Sequence, residues 1–220
     1  MVEQTKSTVN SRSDLRERIV AMASDAFRER GVKGMKMDDL AAQLGISKRT
    51  LYELFGDKES LLVACIQYNQ KIGEQFMLEV MATSNNVLEV ILRGYKRSIE
   101  VSRKNSPQFI SEMRKYPKAY EAMASRHDSD AQRTINFFLQ GVEQGFFRAD
   151  VNYSIYHELV KYWMDVMLTT DILHRYTFLE VYESIMLTSL RGIATEKGTK
   201  LLEEFLVEFK ETKIETKSQK

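Results

Sequence analysis

Apolar residues recur at intervals of three and four along almost the whole chain, and no alternating polar–apolar pattern lasts more than a few residues. A chain patterned this way can bury its apolar side chains only by packing helix against helix. Two prolines (Pro107 and Pro117) and ten glycines in 220 residues do little to interrupt it, so the predicted fold class is all-α. Hydrophobic residues at 43% and charged residues at 29% give the balance of a globular protein, not a disordered one. The longest uncharged run, 60–70, is far below the ~18 apolar residues of a membrane span. Residues 1–10 lack the apolar stretch of a secretory signal. The single cysteine, Cys65, excludes an internal disulfide and fits a reducing compartment, so the expected location is cytoplasmic.

Caps and breakers divide the pattern. Ser13 is a suitable cap for a helix over 14–30, with Leu15, Ile19, Met22, Ala23, Ala26 and Phe27 on one face and Gly31 and Gly34 closing it. A short helix over 37–44 stops at Gly45, and Ser47 caps another over 48–55 that stops at Gly56. Asp57 caps a longer helix from Lys58 toward Ala82. Further helices are predicted over 87–103, 108–115, 120–144, 153–173, 178–194 and 200–211, with breaks at 105–107, 116–117, 145–152, 174–177 and 196–198, the second holding Pro117 and the last Gly198. The predicted organisation is a flexible tail (1–12), a small domain (13–57), a larger helical domain (58–211) and a frayed end (212–220).

The small domain carries the most informative spacing. Ala41 is small enough to let a second helix approach, Gly45 follows four residues later at a tight turn, and Leu40, Leu44, Ile46, Leu51 and Leu54 occupy locking positions. The second helix then turns Lys48, Arg49, Thr50, Tyr52 and Glu53 outward. That is the division of labour of a DNA-binding helix-turn-helix over 38–55, and equally of a surface pair of helices in an all-helical protein. Charge does not separate the two. The chain carries a net charge of +1, and in its first sixty residues Lys33, Lys36, Lys48, Arg49 and Lys58 are interspersed with Asp38, Asp39, Glu53, Asp57 and Glu59. Those acids can serve helix starts, where carboxylates favour the dipole, and leave the cations free for phosphate.

The longer string from Gly34 to Leu62, GMKMDDLAAQLGISKRTLYELFGDKESLL, is more specific. It strongly resembles the DNA-binding domain of the TetR-type (tetracycline-repressor-like) regulators, and with the first helix the likeness covers 15–62. The resemblance implies a three-helix DNA-binding domain followed by a larger helical ligand-binding and dimerisation domain. It implies that Ser47, Lys48, Arg49 and Thr50 open the recognition helix, that Tyr52 meets a phosphate, and that Lys58 meets another at the start of the fourth helix. Phe55 matches an aromatic that packs. Two positions depart from the pattern. Lys36 and Met37 stand where the family favours a Thr or Ser that caps the second helix and touches phosphate; both are expected DNA contacts, although a lysine cannot accept the N–H bonds of a helix start. Arg49 replaces a small residue and can either read guanine O6/N7 or hold a phosphate.

Two predicted helices in the larger domain are apolar nearly all round. One carries Ile155, Tyr156, Leu159, Val160, Tyr162, Trp163, Met164, Val166, Met167 and Leu168; the other carries Leu179, Val181, Tyr182, Ile185, Met186, Leu187, Leu190 and Ile193. Each must bury two faces, either in one large core or against a second subunit. The resemblance favours a homodimer paired through these helices, with Val166, Met167, Tyr182, Ile185, Met186 and Leu190 at the interface and a near-palindromic operator as partner. Met and aromatic residues between the ends, among them Phe76, Met77, Tyr95, Phe109, Met113, Phe137, Tyr162 and Trp163, fit plain core or, as in the family, a pocket for an apolar effector.

No cofactor, metal or catalytic constellation is expected. His127, His157 and His174 stand apart without ligand spacing and read as surface or helix-end residues, and no nucleophile–base pair or phosphate loop occurs. Lys6, Arg12 and Arg16 read as a solvated N-terminus or a phosphate-reaching arm. The expected function is a DNA-binding regulator, a repressor released by a small apolar or amphipathic effector. The alternatives are an activator, an effector-independent regulator or a helix-bundle interaction protein.

Overall fold

The structure, a computed structural model, describes residues 2–113, 115–124 and 131–218. Side-chain surroundings are described between 12 and 209, outside 107, 108, 111, 114, 124–130, 164, 165 and 167–169. The described elements are helices throughout: α1 (Val2–Arg30), α2 (Met37–Leu44), α3 (Lys48–Phe55), α4 (Lys58–Thr83), α5 (Val87–Ser102), α6 (Pro107–Met113), α7 (Pro117–Ala124), α8 (Ala131–Glu143), α9 (Tyr153–Thr169), α10 (Ile172–Arg175), α11 (Phe178–Ile193) and α12 (Glu196–Ser218). The β structure among them is one isolated bridge, Phe147 to Ala194.

The chain forms two compact units. The first comprises Met1–Gln75 and Ser102–His127, the second Phe76–Val101 and Asp128–Lys220. The first unit is larger than the 13–57 segment because the start of α4 through Gln75, as well as α6 and α7, join it. Met113 and Ala119 are fully buried in a core built on Ile19, Phe27, Leu40, Leu51, Leu61 and Leu62. Polar contacts secure the same helices. The Ser106 amide donates to the Arg28 carbonyl (2.6 Å), the Lys33 amide to the Glu112 carboxylate (2.8 Å), and the Lys118 amide to the Glu59 carboxylate (2.8 Å). Three helices, two of them only eight residues long, would bury little apolar surface alone, and the added pair enlarges the core.

The second unit gathers Leu88, Leu92, Tyr95 and Ile99 of α5 with Phe138, Phe147, Leu190, Ile193, Leu202 and Leu206. Phe138 stacks on Tyr153 and meets Tyr156 edge-on. Close approach here depends on Gly141, because a methyl at that position would come within 2.2 Å of the Phe147 ring and 2.8 Å of Val87.

Several boundaries differ from the sequence expectation. α1 begins at Val2, not after Ser13, since residues 2–30 contain neither glycine nor proline to stop it, and a helix occupies the stretch expected as a tail. α12 starts at Glu196 and reaches Ser218, past the expected end at 211. Gly198, read as a breaker, lies inside its first turn; a Cβ there would meet the Phe146 carbonyl oxygen at 2.2 Å, so close approach explains the glycine. Pro117, also read as a break, opens α7, where its missing N–H costs nothing. The helix expected over 120–144 is described as α7 and α8 on either side of residues 125–130, which lie outside the described residues along with His127. The helix expected over 153–173 ends at Thr169, and the short α10 follows.

Candidate nucleic-acid interface

The helix-turn-helix is built by local chemistry. Gly45 takes the left-handed conformation (φ 65°), which lets its N–H reach the Ala42 carbonyl (3.1 Å) while the Ile46 N–H reaches Ala41 (3.0 Å). These two bonds close α2 as a Schellman motif and turn the chain sharply. Ser47 then caps α3, its Oγ accepting the Thr50 amide (3.0 Å) and sharing a second hydrogen bond with Thr50 Oγ1 (2.8 Å). Leu40, Ala41, Leu51 and Phe55 are buried, so the α2–α3 angle is set by packing. Arg16 lies over the Phe55 ring at 5.1 Å, which makes it part of this support and not a loose arm.

The face of α3 turned away from that core carries Lys48, Arg49, Tyr52 and Glu53, all exposed. Its cations are not free, contrary to the expectation that the acids would serve only helix starts. Lys48 Nζ pairs with Asp38 of α2 at 2.8 Å, and this carboxylate raises the lysine's pKa. The same Nζ stands 5.8 Å over the Tyr52 ring. Arg49 Nε donates to Glu53 at 2.7 Å one turn along the helix. Lys48 thus ties α2 to α3 as well as facing solvent.

The remaining predicted contacts divide. Lys36 is exposed and, as expected of a lysine, gives α2 no side-chain cap. Met37 is buried in the core, so its side chain is not available to DNA and only its backbone could serve. Its apolar side chain stands where the family has a polar one, and burial is the consequence. Asp57 caps α4 as predicted, accepting the Ser60 amide at 2.6 Å, and that bond holds its carboxyl below the usual range. Lys58 is half-buried at the start of α4, and burial lowers its pKa against the opposing pull of Glu112.

The predicted effector residues do not form one group. Phe109 and Met113 belong with the core of the first unit. Tyr162 and Trp163 are exposed on α9, at 55% and 37%. Phe76, Met77, Tyr95 and Phe137 belong to the second unit. Phe76 lies beneath the Arg97 guanidinium (5.5 Å), and buried Tyr95 donates to Glu183 of α11 (3.3 Å). Arg93 is engaged by Thr83 and Ser84 at the α4–α5 turn. A cleft of about 410 Å³ lies elsewhere, in the first unit, lined by Arg18, Ala21, Met22, Asp25, Gln43 and Leu44.

The predicted interface residues divide too. α9 turns Tyr153, Tyr156 and His157 inward, and His157 is buried, not a surface histidine. Its opposite stripe, Ile155, Leu159, Tyr162, Trp163 and Val166, is exposed; the side chain of Met167 lies outside the described residues. On α11, Leu190 is buried in its own unit, Tyr182 and Met186 pack partly against that core, and Ile185 is half-buried. Leu190 therefore cannot serve as an interface residue. Of that stripe the sequence reading assigned only Val166 to the interface, because a helix apolar all round does not declare which face its own core takes.

A DNA-binding regulator of helix-turn-helix class is what this fold and this exposed helix define. Residues 19–65 match the family described as "Bacterial regulatory proteins, tetR family". Over that segment the chain is similar to the DNA-binding domain of the TetR-type transcriptional regulators. It is 21% identical over 167 residues to the HTH-type transcriptional repressor KstR2 of Mycobacterium tuberculosis, across 73% of this chain and 81% of that protein. It is 31% identical over 91 residues to the HTH-type transcriptional regulator YxaF of Bacillus subtilis, across 41% of this chain and 48% of that one. Its fold is similar to that of a TetR-family transcriptional regulator from Agrobacterium tumefaciens, with a TM-score of 0.61 at 14% identity, covering 84% of this chain and 100% of the other.

Proposed function

We propose that the protein is a ligand-responsive repressor that binds a near-palindromic operator as a homodimer. The observation that carries this reading is the exposed face of α3, with Lys48, Arg49 and Tyr52 held at a fixed angle by the buried Leu40 and Leu51. That face suits a major groove, with Lys36 and Lys58 reaching the flanking phosphates. The apolar stripe of α9 supports dimerisation, because so much apolar surface on one helix otherwise stays in contact with water. The name of the relative KstR2 supports the repressor sign. An effector held among Phe76, Met77, Tyr95 and Phe137 releases DNA only if it binds the released state more tightly than the DNA-bound one. Such a regulator works in the cytoplasm, where the operator is.

The test is selection of bound sequences from a random double-stranded DNA pool. The expected product is a two-fold symmetric site whose half-sites lie about one helical turn apart, roughly 10 base pairs, with affinity falling steeply as salt rises. Binding without sequence preference at every salt concentration overturns the proposal. A thermal-shift screen of small apolar molecules then reads the effector, since a ligand of the native state raises Tm.

A further inference from the structure

We infer that Glu53 is a specificity-determining residue that positions Arg49 as a reader of guanine. The inference rests on α3 being the recognition helix and goes beyond it by assigning the two residues a joint task.

The geometry supports base reading over phosphate binding. Glu53 engages Arg49 through Nε at 2.7 Å. A carboxylate on Nε leaves the terminal nitrogens to act as a fork, and the Arg49 side chain is 88% exposed, so they open onto solvent from α3. That fork matches the O6 and N7 acceptors of guanine in the major groove. A phosphate is the poorer partner, because it would bring a second negative charge beside Glu53. Glu53 itself is half-exposed and can accept only from donors, such as the amino group of cytosine or adenine on a neighbouring base pair.

An alternative is that the pair merely supports the helix, as i,i+4 pairs do. Exposed pairs of that kind contribute little to stability, so removing Glu53 leaves the fold intact and the readout rests on DNA. The electrostatics also predict a cost of losing it. Freed from Glu53, Arg49 becomes an unrestrained cation that any phosphate can attract, and sequence-independent binding rises.

The experiment compares the unaltered protein with Glu53→Ala, Glu53→Gln and Arg49→Ala. Each is put through selection from a random DNA pool, and affinity is then measured against salt on the selected site and on unrelated DNA. The unaltered protein is expected to demand guanine at one position of each half-site. Glu53→Ala is expected to relax that demand by about tenfold or more, the scale of one bidentate base contact. It is also expected to tighten binding to unrelated DNA and steepen its salt dependence by about one phosphate contact. Glu53→Gln, which keeps an acceptor for Nε, is expected to retain part of the guanine preference. An unchanged base preference in Glu53→Ala overturns the inference, as does a loss of guanine preference in neither Arg49→Ala nor Glu53→Ala. No sequence preference in the unaltered protein instead overturns the recognition-helix reading itself, so the two failures are distinguishable.

Discussion

At the scale of single residues, the exposed face of α3 is governed by pairing as much as by exposure. Asp38 and Glu53 each take a cation of α3, so Lys48 and Arg49 stand on that face without making it strongly basic. The Asp38–Lys48 pair was not legible from spacing, because its members are ten positions apart and meet only when α2 folds against α3. Ser47 and Asp57, by contrast, were legible as caps, since capping is set by residue type and the next three positions. The Asp57 cap is testable. Asp57→Ala is expected to cost about 1 kcal/mol at neutral pH. The Ser60 amide lowers the folded-state pKa of Asp57, so its contribution is present above the unfolded carboxylate pKa of about 4 and is lost as pH falls through the lower folded value. Denaturant midpoints of the two proteins measured from pH 7 to pH 2 should therefore converge at the acid end; a constant gap would assign the loss to packing.

At the scale of elements, periodicity placed α2, α3 and the start of α4 at their observed bounds, because Gly45, Ser47, Gly56 and Asp57 act within a few residues of themselves. It failed where a residue's reason is a distant neighbour. Gly198 was read as a breaker, yet it sits in a helix because the Phe146 carbonyl leaves no room for a side chain. Gly141 is the same case on α8 and makes a direct prediction. Gly141→Ala forces a methyl against the buried Phe147 ring and should destabilise the protein by about 1–3 kcal/mol, although alanine is intrinsically the better helix former. Thermal unfolding reads this as a drop in Tm, and an unchanged or raised Tm would mean that Phe147 moves aside freely.

At the scale of the molecule, the proposed dimer rests on the exposed stripe of α9. Leu159→Glu combined with Tyr162→Glu is expected to leave the fold intact, since both side chains are exposed, and to shift the protein from dimer to monomer. Sedimentation measures the mass, and circular dichroism checks the helices; a dimer that persists would move the interface elsewhere. Binding to a two-half-site operator should weaken as dimerisation is lost, while the weak contact to one half-site remains.

The all-α class, the turn at Gly45 and the identity of α3 as the outward helix followed from the amino-acid order alone, because periodicity, caps and left-handed glycines are local effects. Three things were decided only by tertiary structure. Met37 went into the core, α6 and α7 joined the first unit, and α9 turned Leu159 and Tyr162 outward. Each depends on which surface meets which, and burial is a contest among all apolar faces at once that no single stretch of chain can settle by itself.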